Sequence, residues 1–138
     1  VKESPLSDLL EAIDRRDVPA AMALCALDCS FATVDGRRAE GRVEVQRLLT
    51  EFLSVLRSAT HEIISQWHQE DAWFAEVLAS YELQDWTRIE RRPRAFLLRT
   101  GADGIRDVRV YGANERPLTD HSARYEPARL GGRLILPL

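Results

Sequence analysis

Leu6, Leu9, Leu10 and Ile13 recur at intervals of three and four, so the chain opens on one apolar helical face. Ser4-Pro5 supplies the start: a hydroxyl cap, then proline where its missing N–H costs nothing. The helix should end at Arg15-Arg16, whose charge suits the negative end of a helix. Asp17 then caps a shorter helix that tolerates Pro19 in its first turn and carries Ala21, Met22, Leu24 and Cys25 as its apolar set. Cys29 to Asp35 reads as a short strand stopped at Asp35-Gly36, with a polar loop over 37–41. Val45, Leu48, Leu49, Phe52, Leu53 and Leu56 then give the strongest periodic signal in the chain, a third helix.

From Thr60 the period changes to two. The pattern predicts strands over Thr60–Gln69, Trp73–Gln84, Arg88–Thr100 and Ile105–Gly112, separated by Glu70-Asp71, Asp85-Trp86 and Gly101-Ala102-Asp103-Gly104. Short turns between long strands make antiparallel neighbours. The predicted order is ααβαββββ, an α+β layer fold with three N-terminal helices against an antiparallel sheet. Residues 1–118 form the domain. Residues 119–138 differ, with Pro127, Gly131-Gly132 and an apolar Leu134-Ile135-Leu136. They are expected to be an extended tail docked on the body or on a partner subunit.

Composition narrows the function classes. At 138 residues the chain is one ordinary domain, able to build a core without staples. A net charge of −3 supplies no basic field for nucleic acid or an anionic membrane. The basic run Arg88, Arg91, Arg92, Arg94 stands beside Glu90 and reads as a solvated or dimer-facing strand. No apolar run approaches the roughly 20 residues of a membrane span. The opening Val1-Lys2-Glu3-Ser4-Pro5 lacks a secretion signal's core, and Cys25 and Cys29 do not make a disulfide framework. A cytoplasmic location with reduced, buried thiols is the expectation.

Several local phrases, taken in order, resemble a known superfamily. Leu9 to Asp35, with "D-V-P-A-A" and "L-D-C-S-F", is similar to the opening of ketosteroid isomerases and SnoaL-like cyclases. "D-G-I-R-D-V-R-V-Y" (Asp103 to Tyr111) and "N-E-R-P-L" (Asn114 to Leu118) resemble the last strand and exit of that group. The resemblance, to the nuclear transport factor 2-like or SnoaL-like superfamily, spans about residues 6 to 118. It implies a cone, a curved sheet wrapped around helices with an apolar pocket between, and in many members a homodimer through the outer sheet face.

Strand alternation divides candidate pocket residues from outer ones. Placing the charged set Asp107, Arg109 and Tyr111 outward puts Val108 and Val110 inward. The inward sets are then Ala95 and Leu97 on the next strand, and Val77, Ala79 and Tyr81 beyond it. Phe31 and Thr33 follow on the first strand, with Leu9 on the first helix. Each of these ten is equally a plain core residue; Tyr81 stands out because its hydroxyl can orient a ligand carbonyl. Outward Phe74, Leu78 and Tyr111 are too apolar for a solvated sheet and predict a homodimer.

The resemblance also implies where catalytic groups should stand. The isomerases use a strand carboxylate as base, with a tyrosine and a protonated acid at the oxyanion, a mechanism already well described for that enzyme. By ungapped matching these positions fall on Thr33, Leu9 and Ala95, none of which can do the work. Asp35, two residues past Thr33, is the remaining candidate base, with Tyr81 as a candidate partner. Limonene epoxide hydrolases of the same superfamily use an Asp-Arg-Asp set; Asp107 and Arg109, with Glu76 or Glu82, could imitate it only on the outer face. His61 and His68, seven apart on one predicted strand, should point to opposite faces and share no metal. No metal and no cofactor are expected. The reading is a domain that binds a small apolar molecule and lacks ketosteroid isomerase activity. Two alternatives stay open: an isomerase, cyclase or dehydratase of polyketide-like or steroid-like substrates, and a dimeric protein-interaction module.

Overall fold

The computed structural model describes residues 4–112 and Leu138. The order is α1 (Pro5–Asp14), α2 (Val18–Ala23), β1 (Cys25–Ala32), β2 (Arg38–Glu40), α3 (Arg42–Ser54), β3 (Leu56–Gln69), β4 (Ala72–Leu83), β5 (Arg88–Gly101) and β6 (Gly104–Tyr111). The six strands form one curved, unclosed sheet ordered β2-β1-β6-β5-β4-β3. Neighbours are antiparallel except β1 with β6, which run parallel. The helices cover one face, and Leu9, Leu49, Phe52, Phe31, Phe96 and Leu98 are among the buried side chains between the layers.

The helix starts follow the expected chemistry. The Ser4 hydroxyl accepts from the Ser7 N–H at 3.0 Å, and Ser7 Oγ accepts from the Ser4 N–H at 2.9 Å, closing a reciprocal cap. Asp17 Oδ1 accepts from the Ala20 N–H at 3.1 Å to start α2. Arg16, at φ 63, turns its guanidinium away from its own helix. It donates to the carbonyls of Leu53 (2.8 Å) and Leu56 (3.1 Å), satisfying the end of α3 and tying α1 to β3.

Four differences from the expected pattern matter. The segment 37–41 contains a strand, because Thr33 and Arg37 close a tight turn that folds Arg38–Glu40 back onto Ser30–Ala32. β1 begins at Cys25 rather than Cys29, and Cys25 leaves the second helix. The third difference is the phase of β5. Phe96 pairs with Val110 and Leu98 with Val108, so Phe96 and Leu98 are buried, while Ala95 is exposed and Leu97 only half-buried on the outer face. Ala95 and Leu97 are therefore not inward, because antiparallel partners share a face and the valines were correctly placed inside. The same phase turns Arg94 inward, where it is 3% exposed, with Arg92 half-buried. The basic run is not wholly solvated.

The fourth difference comes from a bulge. Ile63 pairs with Val77 but Ser65 with Glu76, so Ile64 is an extra residue in β3. An extra residue inverts the alternation beyond it. His61 and His68, opposite Ala79 and Trp73, thus lie on the same face, contrary to their odd separation. Further shifts in register lie at Arg57, at Glu90-Arg91 and at Arg106, and together they curve the sheet. Gly104 starts β6 at φ 120. A Cβ there would stand 2.6 Å from the Leu24 carbonyl oxygen, which accepts from the Ile105 N–H at 2.9 Å.

The tail boundary, and Leu134, Ile135 and Leu136, lie outside the described residues. Leu138 is buried within the core cluster. Among the described residues, no helix is long and apolar enough to cross a membrane.

Candidate functional site

The last residue of α1 meets the middle of β3. Asp14 Oδ2 accepts from the His61 backbone N–H at 2.7 Å, and Asp14 Oδ1 lies 2.6 Å from His61 Nδ1. One carboxylate therefore holds both the chain and the ring of a residue 47 positions away. A carboxylate only accepts, so Nδ1 carries a hydrogen; in the neutral ring the acceptor is then Nε2. The His61 side chain is 0% exposed, and Nε2 is buried with no hydrogen-bond partner among the described residues. Most buried polar atoms are satisfied, so an orphaned imidazole nitrogen in the interior asks for an occupant.

The ring is fixed by aromatic contacts as well as by Asp14. Tyr81 and Phe96 stand edge-on to it, at centroid distances of 6.0 and 6.1 Å, and Phe52 stands edge-on to Tyr81 at 5.9 Å. Register sets the rest of the wall. His61, Ala79 and Arg92 form one row across β3, β4 and β5, and Ile63, Val77 and Arg94 form the next. Ala79 is the small member between two large polar side chains. Arg94 Nη1 donates to the Pro93 carbonyl at 3.1 Å.

Of the predicted ligand residues, Leu9, Phe31, Val77, Ala79, Tyr81, Val108 and Val110 are buried on the inner side, and Ala95 and Leu97 are not among them. Thr33 is buried at the hairpin rather than in the wall. Its hydroxyl donates to Asp35, with the Arg37 carbonyl 3.2 Å away as a second, weaker acceptor. Asp35 Oδ2 takes the Arg37 Nε at 2.8 Å, so this carboxylate is engaged inside its own turn, away from His61. The acidic pairs of the last strands also stand apart. Asp107 accepts from Ser30 Oγ (2.8 Å) and Arg109 Nε (2.9 Å) on the outer face, and Glu82 accepts from Arg88 Nε at 3.0 Å. Hydrogen bonding to Asp107 raises the Arg109 pKa further above its ordinary value.

A cleft of about 300 Å³ opens on that outer side, lined by Asp28, Ser30, Asp71, Arg99, Thr100, Arg106 and Asp107. It is polar and contains none of the predicted ligand residues, so it is not the apolar site the sequence suggested. Among the described residues, no cluster of histidine, cysteine and carboxylate side chains is arranged to hold a metal.

Sequence reasoning missed Asp14 and His61. Parity weighed His61 only as a metal ligand, and nothing local links a helix end to a strand so far along the chain.

Helices gathered inside a curved sheet of this order match a set of solved structures over most of the chain. The chain has the nuclear transport factor 2-like fold. A protein of ketosteroid isomerase-like fold from Catenulispora acidiphila, solved with trimethylamine, aligns at a TM-score of 0.75 with 17% identity, covering 82% of this chain and 88% of that one. An LEH-like epoxide hydrolase from M. tuberculosis aligns at 0.68 with 16% identity, covering 78% of each. A nuclear transport factor 2-like protein of unknown function from Burkholderia pseudomallei aligns at 0.71 with 13% identity, covering 79% and 88%. No family model and no curated relative matches the sequence. The identities support a shared nuclear transport factor 2-like fold and leave the chemistry to the site itself.

Proposed function

We propose that this chain is an acid–base enzyme acting on a small, mostly apolar molecule bound against the inner sheet face, with His61 moving the proton. The observation that carries this is the buried, unpartnered Nε2 of an imidazole whose Nδ1–H is held by Asp14. A carboxylate in that place fixes tautomer and orientation and stabilises the imidazolium once Nε2 takes a proton, as in other histidine–carboxylate pairs. The surrounding wall supplies apolar burial from Val77, Ala79, Phe96, Val108 and Val110. Tyr81 beside the ring is the candidate donor to a substrate carbonyl, and Arg92 in the same row as His61 adds positive charge that favours an enolate. The reaction class is proton removal next to a carbonyl, the shared step of isomerases, cyclases and dehydratases. The base is a histidine rather than the strand carboxylate of the ketosteroid isomerases.

The experiment asks only for that step. Bicyclic aromatic ketones are incubated with the protein in D2O, and exchange of the hydrogens next to the carbonyl is followed by NMR. His61→Gln should lower the exchange rate by about 10²-fold or more, the usual contribution of a positioned base, while thermal stabilisation by the same ketones persists. Equal exchange by the wild type and His61→Gln overturns the assignment. Stabilisation without exchange in either protein leaves a binding domain in its place.

A homodimer through the outer sheet face is part of the same reading. Trp67, Phe74 and Leu97 form one cross-strand row, and Trp67, Phe74 and Tyr111 are 60%, 48% and 50% exposed. Such a contiguous apolar patch supports burial against a second copy.

A further inference from the structure

The two thiols lie on either side of an arch in β1. Cys25 pairs with Ile105 and Ser30 with Asp107, so five steps along β1 face only two along β6. Two steps of a strand span roughly 7 Å, at about 3.3 Å per residue. The chain from Ala26 to Cys29 must therefore buckle outward, which leaves Leu27 75% exposed and brings the two ends of the arch together. Both thiols point inward and are fully buried. A disulfide needs Cα atoms about 4.4–6.8 Å apart, and an arch that brings Cys25 and Ser30 to roughly 7 Å draws Cys29 toward Cys25. An ordinary strand would hold residues 25 and 29 about 13 Å apart, beyond any bridge.

The surroundings favour one sulfur as the nucleophile. The Cys25 thiol donates to the Ala21 carbonyl at 3.5 Å; the Cys29 sulfur beside it, together with burial, raises the Cys25 pKa, while Cys25 lowers that of Cys29. Arg42 stands beside both. Its guanidinium donates to the Cys25 carbonyl, and its Nε is buried without a hydrogen-bond partner among the described residues. The cap of α3 reaches the same spot, with the Gly41 N–H donating to the Cys29 carbonyl at 2.7 Å. A thiolate beside an arginine and a helix start is the more reactive form of cysteine.

We propose that Cys25 and Cys29 are a peroxide-oxidised dithiol, with Cys29 the attacking sulfur and Cys25 the resolving one. The Cys29 thiolate attacks the distal oxygen of hydrogen peroxide or an alkyl hydroperoxide; the O–O bond breaks, and the leaving oxygen takes a proton to depart as water or alcohol. Cys29 is then a sulfenic acid. The Cys25 sulfur attacks it, the S–O bond breaks, and water leaves with the Cys25 hydrogen. Two thiols have lost two electrons to one peroxide. The arch makes no regular ladder with β6, so it opens locally to admit the oxidant without separating the strands.

Trypsin should release both cysteines in the single peptide 17–37, because the flanking basic residues are Arg16 and Arg37. Reduced full-length protein is treated with hydrogen peroxide, quenched, alkylated and digested. The expected product is that peptide lacking two hydrogens and refusing alkylation, restored by dithiothreitol. Cys25→Ala should stop at a Cys29 sulfenic acid that dimedone traps, whereas Cys29→Ala should give no dimedone adduct. Two freely alkylated cysteines after prolonged peroxide, or disulfides formed only between chains, overturn the proposal. Dimedone trapping on Cys25 in the Cys29→Ala protein overturns the assigned roles. The wild-type mass carries the test even if a variant fails to fold.

Discussion

The inner and outer faces of the same sheet treat charge differently. Outside, Asp107 is met by Ser30 and Arg109, Glu82 by Arg88, and Glu62 by Arg91. These pairs stand in or near water and finish their own hydrogen bonding. Inside, Asp14 meets His61, and the ring is left with one nitrogen unanswered. A complete pair at the surface contributes little and asks for nothing. An incomplete pair in the interior costs stability, and proteins accept such costs mainly where they carry function.

The contrast can be broken most severely through packing. Phe96→Ala should cost about 3–5 kcal/mol, as the loss of a fully buried ring does, whereas Leu97→Ala on the opposite face should cost under about 1 kcal/mol. Urea unfolding of both proteins checks the phase of β5. Equal costs would mean that the strand does not separate its faces this way.

The dyad gives the next largest effect. Asp14→Ala should destabilise by about 1–3 kcal/mol, since it strips a buried ring N–H of its acceptor. His61→Phe should stay within about 1 kcal/mol of the wild type, because Asp14 is 21% exposed, keeps its bond to the backbone N–H and can take water in place of the ring. Both should abolish ketone exchange. A dyad that were only structural would show the reverse order of stability and leave the exchange untouched.

Smaller again is the effect expected on the outer apolar row. Trp67→Glu with Phe74→Lys should shift sedimentation at micromolar concentration from dimer to monomer, with the fold retained by circular dichroism. A wild-type monomer would remove that role from the patch. Smallest of all, Asp107→Asn should change stability by less than about 1 kcal/mol, and less still in high salt.

Much of this architecture was legible from residue pattern. The caps at Ser4 and Asp17 and the apolar stripe of α3 are local and were readable, as was the alternation in β4 and β6. The phase of β5 was not, because Ala95-Phe96-Leu97-Leu98 is an unbroken apolar run with no alternation to read. The bulge at Ile64 was equally silent: one added residue leaves no mark in composition yet reverses every side chain beyond it. The candidate base was sought at Asp35, whose turn consumes its carboxylate. The better pair, Asp14 and His61, is joined only by the packing of α1 on β3. A contact that distant in sequence leaves no signature in a single chain.

That packing has a second consequence, for solubility. Among the described residues, β3 is the last strand of the sheet and runs for 14 residues, long enough to template the addition of a foreign strand. At one end of α1, Ser4 Oγ donates to Gln66 Oε1 at 2.6 Å; at the other, Asp14 takes the backbone N–H of His61. The helix is thereby clamped along the rim, and one of the rim's hydrogen-bond donors is already spent. At the opposite rim, β2 is only three residues long and offers little to copy. The carboxylate that orients the imidazole thus also helps keep neighbouring molecules from zipping onto the sheet.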